Sequence, residues 1–170
     1  MRLNNKISLV TGAGSGFGRG IANRFVEEGA KVIVVDINQE AAQMVAGEIG
    51  ENAIAVVADV SQNTDVSAMI HQTVEQYGRL DILVNNAGTT HRNKLMTEVS
   101  EEEFDQILAV NVKSVFLTAK HIVPLMKKQG SGVILNVAST AGVRPRPGLA
   151  WYNTSKGAMI AATKAMAIEL

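Results

Sequence analysis

The sequence predicts an α/β fold in which a parallel β-sheet is covered by helices on both faces. Short apolar runs rich in Val and Ile alternate along the chain with segments of helical spacing. Each run is nearly continuous in apolar residues, which is typical of strands buried on both faces of a parallel sheet. A glycine-rich turn follows the first run. Together with right-handed crossovers, this turn favours a doubly wound sheet with the strand order 3-2-1-4-5.

The elements follow from the positions of these runs and of their end signals. Strands are predicted at residues 7–11, 31–36, 53–58, 81–85 and 132–138. Helices are predicted at residues 17–28, 39–49 and 63–77, and a glycine follows each of them as a C-terminal signal. Ser100 lies three residues before Glu103, a capping-box spacing that opens a long helix to about Gln129. A last helix begins near Trp151 and continues to Leu170, and polar segments 89–98 and 142–148 are predicted loops.

Composition favours a single globular domain over residues 1–170. Hydrophobic residues make up 46% of the chain, and the formal net charge is zero. Without a basic excess, neither nucleic acid nor an anionic membrane surface is a predicted partner. The absence of cysteine excludes disulfides and thiolate metal sites, and the three histidines lack metal-ligand spacing, so no metal is predicted. No apolar run approaches the length that crosses a bilayer, and we expect a cytoplasmic protein.

The turn at residues 11–18 predicts a dinucleotide site. It reads Thr-Gly-Ala-Gly-Ser-Gly-Phe-Gly and lies between the first strand and the first helix. Such a turn lets the backbone approach a pyrophosphate, which the unpaired N–H groups of the helix N-terminus can bind. A glycine-rich turn alone is a weak signal, and its position between strand and helix strengthens it.

Asp36 ends the second strand, 24 residues after Gly12. A carboxylate there can accept a hydrogen bond from a ribose 2′-OH and would repel a 2′-phosphate. No arginine or lysine follows in Ile37-Asn38-Gln39, so NAD(H) is favoured over NADP(H). The alternative is a solvated carboxylate at a strand end. Asp59 has two open interpretations: it contacts an adenine amino group, or it caps the helix that follows.

Tyr152 and Lys156 lie four residues apart at the start of the last helix and therefore share one face. A phenol titrates near pH ~10, which makes it a poor base at neutrality. A nearby ammonium group favours the phenolate, which can then exchange a proton with a substrate hydroxyl. The spacing is common, and by itself it indicates only an aromatic residue and a cation on a helix surface.

In chain order, these motifs resemble those of the short-chain dehydrogenases/reductases. The matching features are the TGAGSGFG turn, Asp36, the NNAG segment at residues 85–88, Asn111, Ser139 after strand five, and Tyr-Asn-Thr-Ser-Lys at residues 152–156. The resemblance covers essentially the whole chain and implies a Rossmann-type fold. It also implies an NAD(H)-dependent oxidoreductase that interconverts a secondary alcohol and a ketone by hydride transfer. The substrate would be of the 3-oxoacyl, sugar, polyol or steroid type.

The resemblance also implies a role for each matched residue. Ser139 would hydrogen-bond the substrate oxygen, and Tyr152 would be the general acid/base. Lys156 would bind the nicotinamide ribose and favour the ionised phenol, while Asn111 would hold a water linking Lys156 to solvent. Asp59 and Val60 would form the adenine pocket. The implied cofactor contacts are Gly12, Ser15, Gly16, Phe17, Gly18, Asp36, Ile37, Asp59, Val60, Asn86, Ala87, Gly88, Tyr152 and Lys156. A homodimer or homotetramer would form through the long helix and the Tyr/Lys helix.

Two features depart from the family pattern. Phe17 stands where a smaller aliphatic residue is usual, and the sequence stops at Leu170, before the sixth strand, the substrate loop and the seventh strand of the family. We therefore expect strand five to be an uncovered apolar edge. Three explanations are open: a retained part of a longer polypeptide, a truncated product, or a sheet completed by a partner. Two rival functions are NAD(H) binding without turnover and a structural fragment that binds no cofactor.

Overall fold

The computed structural model describes all 170 residues and contains a five-stranded parallel sheet of order β3-β2-β1-β4-β5. The strands are β1 (Ile7–Thr11), β2 (Lys31–Asp36), β3 (Ala53–Val57), β4 (Ile82–Asn85) and β5 (Val133–Asn136). The helices are α1 (Gly16–Glu27), α2 (Gln39–Ile49), α3 (Asn63–Tyr77), α4 (Glu101–Leu108), α5 (Ser114–Gln129) and α6 (Ala150–Glu169). The predicted fold class and strand order are confirmed.

Alternation along the central strands builds two apolar cores, one on each face of the sheet. Successive side chains of a strand point to opposite faces. Leu9 therefore joins Ile33 and Leu83 in a cluster that also takes in apolar residues of α3 and α5. Its neighbour Val10 joins Val34 in a second cluster, which includes apolar residues of α1 and α2. Helices on both faces leave the carboxyl ends of the strands as the accessible edge of the sheet.

Burial differs between the central and the edge strands. The prediction that every strand is buried on both faces is confirmed for β1, β2 and β4 and is wrong for β3 and β5. On β5, Val133 is 58% exposed and Leu135 is 47% exposed. Both strands have a strand neighbour on one side only, a position that an apolar run does not reveal. Within residues 1–170, β4 is the strand neighbour of β5 and no strand lies on its other side.

The predicted long helix from Ser100 to Gln129 is helical throughout but is not uniform. Ser100 caps α4 with the predicted capping box, since its side chain accepts from the Glu103 N–H and the Glu103 side chain accepts from the Ser100 N–H. A π-helical turn, Ala109–Lys113, separates α4 from α5. Such turns are rare and occur often at functional sites. Here the turn contains Asn111.

By length and composition alone, the helical stretch Glu101–Gln129 qualifies as a candidate membrane span. The stretch contains no uninterrupted apolar run of that length, so the sequence did not predict a membrane span there. In the structure, Leu117, Ile122 and Met126 belong to the core beneath the sheet. Core helices of globular proteins pass the same test, and burial of these side chains favours that interpretation.

Asp81 ties the beginning of β4 to the beginning of β1. It is 5% exposed, and its carboxylate accepts from the Ile7 N–H at 2.9 Å and from Arg79 Nε at 3.0 Å. Lys6 Nζ lies 3.8 Å away. Burial opposes ionisation of Asp81, but the hydrogen bonds from Arg79 and Ile7 and the charges of Arg79 and Lys6 outweigh it and hold the pKa of Asp81 below its usual range.

We expect Asp81→Asn to lower the free energy of unfolding at pH 7 by about 1–3 kcal/mol, because buried donors lose a charged acceptor. The pKa of Asp81 is lower in the folded state, so its stabilisation is present above the unfolded-state pKa near ~4 and is lost as the pH falls through the folded-state pKa. Urea unfolding at pH 7 and at pH 3 should therefore show a smaller difference from wild type at pH 3. Asp105→Asn, at an exposed position on α4, is the control. An equal difference at both pH values would contradict the assignment.

Candidate active site

A cleft of about 460 Å³ opens at the carboxyl ends of the central strands. Its lining comprises Gly12, Ser15, Gly16, Phe17, Asp36, Ile37, Ala58, Asp59, Val60, Asn86, Ala87, Gly88, Thr89, Gln106 and Val110. Of the predicted cofactor contacts, only Gly18, Tyr152 and Lys156 do not line it. Four lining residues were not predicted from the sequence, because no motif marks them: Ala58, Thr89, Gln106 and Val110. Gln106 and Val110 reach the cleft from α4 and the π-helical turn.

The floor of the cleft requires glycine at two positions. Gly12 has φ +61°, and a Cβ there would lie 2.8 Å from the Ala87 Cα atom. A Cβ on Gly18 would overlap the Gly12 carbonyl oxygen. The turn after β1 is therefore packed against the segment after β4 and against the first turn of α1. Gly18 has a structural part in the cleft although it does not line it.

The N-terminus of α1 faces the cleft without a capping side chain. The N-cap residue Ser15 makes no side-chain hydrogen bond to the helix, and the first turn contains no acidic residue. Nothing lies within 4 Å of the position a Cβ would take on Gly16. Free N–H groups and the positive end of a helix dipole at an open turn fit a phosphate group. This geometry agrees with the predicted pyrophosphate position.

Asp36 supplies a carboxylate to the cleft while it also shapes the turn. Oδ2 accepts from the Gly14 N–H at 2.9 Å, and Oδ1 accepts from the Asn38 N–H at 3.0 Å. A carboxylate has about four acceptor positions, so each oxygen retains one for a ribose hydroxyl. Ile37, which follows Asp36 in the chain, is 67% exposed and presents apolar surface there. These residues fit the nucleoside end of a dinucleotide.

The structure excludes one of the two interpretations of Asp59. The N-cap of α3 is Gln62, so Asp59 does not cap that helix. Asp59 Oδ1 accepts from the Ser61 N–H at 2.9 Å, and the Asp59 N–H donates to Asp65 at 3.0 Å. This local turn holds the Asp59 side chain at the cleft wall, where the adenine contact stays a prediction.

Thr11 and Asn86 join the turn after β1 to the segment after β4. The Thr11 hydroxyl oxygen accepts from the N–H groups of Asn86 and Ala87, both at 3.1 Å. Asn86 Nδ2 donates to the carbonyl oxygens of Thr11 and Gly12 at 2.9 and 3.1 Å. These bonds satisfy polar groups that have no strand partner, and they fix the wall opposite α1.

Asn111 is fully buried next to Gly88, a residue of the cleft wall. Its Nδ2 atom donates to the Thr89 carbonyl oxygen and to Ser155 Oγ, both at 2.9 Å, and its Oδ1 atom accepts from the Thr89 N–H at 2.8 Å. Both amide hydrogens are therefore used within the protein. A water molecule bound to the Asn111 side chain would therefore have to donate a hydrogen bond to Oδ1. The predicted water relay between Lys156 and solvent stays a prediction, limited to that geometry.

Lys156 is 4% exposed and has no carboxylate partner. Its Nζ atom donates to the Val137 carbonyl oxygen at 2.9 Å, just beyond β5. Burial lowers the pKa of the Lys156 ammonium group. A Cβ on Gly88 would lie 3.3 Å from Asn111 Oδ1 and 3.4 Å from Lys156 Nζ, so both groups face the cleft wall at Gly88.

Tyr152 and Ser139 lie on two elements that are packed directly together. Tyr152 is half-buried in the first turn of α6, and its carbonyl oxygen accepts from the Ser155 hydroxyl at 2.8 Å. Ser139 follows β5, and its Oγ accepts from the Ala141 N–H at 3.1 Å, which leaves the hydroxyl hydrogen free to donate. A Cβ on Gly142 would lie 2.7 Å from the Lys156 carbonyl carbon. Because Gly142 has no side chain, the turn after Ser139 can contact the backbone of α6. This glycine, three residues after Ser139, was a sequence signal for the contact that was not used in the prediction.

Comparison with known proteins assigns the arrangement to a family. The family described as short chain dehydrogenase matches residues 6–170. The chain belongs to the short-chain dehydrogenase family. A curated relative, the 4-formylbenzenesulfonate dehydrogenase TsaC1/TsaC2 of Comamonas testosteroni, is 49% identical over 99% of this chain and 68% of its own length. A 2-(R)-hydroxypropyl-CoM dehydrogenase of Xanthobacter autotrophicus is 39% identical over 97% of this chain and 68% of its own length.

Solved structures of other short-chain dehydrogenases superimpose closely. A 3-ketoacyl-(acyl-carrier-protein) reductase from Brucella melitensis, complexed with NADH, has a TM-score of 0.97 and 50% identity over 99% of this chain and 71% of its own. An NAD⁺-bound xylitol dehydrogenase has a TM-score of 0.95 and 35% identity over 99% of this chain and 66% of its own. The sequence therefore spans about two thirds of the length of the proteins it resembles. The resemblance inferred from the motifs is confirmed.

We expect Lys156→Met to be at least as stable as wild type at pH 7, because it removes a buried ammonium group and keeps its length. The pKa of Lys156 is lowered in the folded state, so the unfolded chain binds more protons between that pKa and its usual value of ~10.4. The free energy of unfolding of the wild type should therefore increase relative to that of the variant as the pH rises through this interval. Urea unfolding at pH 7 and pH 10 measures the effect. Lys128→Met, at an exposed position, is the control, and a difference that does not change with pH would contradict the assignment.

Proposed function

We propose that this short-chain dehydrogenase binds NAD(H) in the cleft and interconverts a secondary alcohol and a ketone. The observation that carries the proposal is the convergence of Lys156 Nζ and Asn111 Oδ1 on Gly88, a residue of the cleft wall. Two similar structures contain NADH or NAD⁺, and the relatives include an oxidoreductase named for a hydroxypropyl compound. When bound, the nicotinamide supplies or accepts the hydride.

The protein's own residues would handle the proton. In the reducing direction, the free Ser139 hydroxyl hydrogen would bind the carbonyl oxygen, and the Tyr152 phenol would donate its proton to that oxygen as the C–H bond forms. The Lys156 ammonium group would favour the resulting phenolate. Oxidation reverses these transfers. Because Asn111 orients Ser155 and the Thr89 backbone, its main part would be to hold α6 in register with the cleft.

We expect Tyr152→Phe to lower turnover by at least ~100-fold while NADH binding is retained, because only the proton donor is removed. The measurement is NADH absorbance with a panel of ketones and alcohols, together with NADH titration by fluorescence. Tyr77→Phe on α3 is the matched control and should leave turnover unchanged. Unchanged turnover in Tyr152→Phe would refute the role of the phenol.

A second candidate is NAD(H) binding without turnover. The lining of the cleft favours it, because most of the predicted nucleotide contacts line the cleft whereas Ser139 and Tyr152 do not. The same substrate panel distinguishes the two functions. NADH binding to the wild-type chain without turnover of any member would favour the second candidate, and no NADH binding at all would refute both.

The proposal includes a preference for NAD(H) over NADP(H). Asp36 lies in the cleft and forms no ion pair, so its charge would act unscreened on a 2′-phosphate. We expect wild type to bind NADH at least tenfold tighter than NADPH. Asp36→Asn removes the charge but keeps an oxygen that can accept from the Gly14 N–H. It should weaken NADH binding and reduce the affinity ratio of NADH to NADPH. Fluorescence titration with both nucleotides is the measurement, and equal affinities in wild type would contradict the preference.

Association and location complete the proposal. We propose a cytoplasmic homodimer or homotetramer that forms through the outer faces of α5 and α6. Phe116, 62% exposed on α5, supports an apolar contact there. Light scattering that shows a monomer would contradict this assembly.

A further inference from the structure

Two loops meet at the outer border of the proposed active site. The first is residues 89–98, which starts at the cleft, and the second is residues 139–149, which starts at Ser139. The Lys94 N–H donates to the Gly148 carbonyl oxygen at 3.1 Å, and Asn93 Nδ2 donates to the Pro147 carbonyl oxygen at 3.0 Å. The two loops therefore form one continuous rim.

This rim is strongly cationic although the chain has no net charge. It contains Arg92, Lys94, Arg144 and Arg146, and Glu98 is its only acidic residue. The Lys94 ammonium group is neutralised by Glu103 on α4, at 2.6 Å. None of the three arginines forms an ion pair. The rim thus holds three guanidinium groups without a counter-charge from the protein.

The backbone of the second loop is fixed relative to Tyr152. Asn153, adjacent to Tyr152 and 8% exposed, accepts from the Arg146 N–H at 3.3 Å and donates to the Arg146 carbonyl oxygen at 2.9 Å. The Arg144 N–H donates to the Thr140 carbonyl oxygen at 2.7 Å. Prolines alternate with the arginines and restrict the backbone further. The loop backbone is therefore already ordered, and ligand binding would cost little additional conformational entropy there.

Arg144 and Arg146 line the same cavity. Its volume is about 480 Å³, and its other lining residues are Thr140 and Val143. Arg146 also lines a neighbouring cavity of about 560 Å³, which Asn153 and Thr154 of α6 border as well. Neither lining contains an acidic residue. The first cavity contains Thr140, which follows Ser139 in the chain, and Asn153 of the second cavity follows Tyr152. The two arginines therefore lie on the same turn and rim as the proposed reacting residues, where positive charge favours an anion.

We propose that the substrate carries a carboxylate or sulfonate group, which Arg144 and Arg146 bind while its carbonyl lies at Ser139 and Tyr152. The inference rests on the proposed function and names the substrate class for that site. A guanidinium group presents paired N–H donors that match the oxygens of either anion. Both arginines are exposed, so their guanidinium groups are accessible to an anionic group of a substrate.

The test compares three aryl ketones of similar shape: 4-acetylbenzoate, 4-acetylbenzenesulfonate and methyl 4-acetylbenzoate. With NADH, we expect both anions to have a KM at least tenfold below that of the ester, with a similar kcat. The double variant R144Q/R146Q should raise the KM of the anions at least tenfold and leave that of the ester unchanged. K128Q removes a charge from the end of α5 and is the control. High salt should weaken the preference, because exposed charges are screened.

Calorimetric titration of the same compounds into the NADH-loaded chain separates this inference from the proposed function. Anion binding that depends on the arginines, without turnover, would support the inference and count against the activity. Equal KM values for anions and ester in wild type would overturn the inference and leave the activity standing. A preference that persists in R144Q/R146Q would also overturn it. The benzoate and sulfonate arms show which anion the rim prefers.

Discussion

The buried amide of Asn111 connects the parts of the chain from which the site is built. It binds the Thr89 backbone on one side and Ser155 of α6 on the other, and both partners are distant from it in sequence. An unsatisfied buried amide would cost about 1–3 kcal/mol per lost partner, so the three segments keep one arrangement. The π-helical turn places Asn111 where it can reach both. Tyr152 lies on α6 with Ser155, so movement of α6 away from Asn111 would break the Asn111–Ser155 bond and displace Tyr152.

Lys156 acts against stability at the same place. Its ammonium group is buried with a carbonyl oxygen as its polar partner and no acid to pair with. Burying an unpaired charge is unfavourable, so the rest of the fold must offset it. Two filled cores and the Thr11–Asn86 bonds are the contacts that hold the surrounding backbone in place. The unfavourable burial of Lys156 would serve the proposed chemistry, because a carboxylate partner would neutralise the positive charge that stabilises the phenolate.

Local sequence patterns predicted the elements well because their signals are local. The limits of β1, β2, α2 and α3 agree with the predicted ranges, and the capping box of Ser100 opens α4 as expected. The features that were missed depend on contacts between distant segments. Partial exposure of β3 follows from its place at the edge of the sheet, and the close approach of Gly142 to α6 follows from packing. Neither is encoded in the run of residues around it.

The candidate site divides in the same way. Residues in the glycine-rich turn and the Tyr/Lys helix were predictable, because ordered motifs mark them. Gln106 and Val110 reach the cleft only because α4 and the π-helical turn cross its mouth, and no motif signals that crossing. The capping interpretation of Asp59 was excluded by where α3 begins, three residues later than a cap at Asp59 would require. A helix start is among the least certain features of a sequence-based prediction.

Charge shows the same difference between sequence and structure, with a consequence for chemistry. Acids and bases balance over the whole chain, which excludes a general affinity for polyanions but does not describe any one surface. Folding brings the unpaired arginines of the rim and the unpaired Lys156 to the same end of the sheet. Positive charges gathered at one end of the sheet make the potential there positive and favour negative charge. The field that would attract an anionic substrate would therefore also favour the phenolate and the developing oxyanion on which the proposed proton transfer depends.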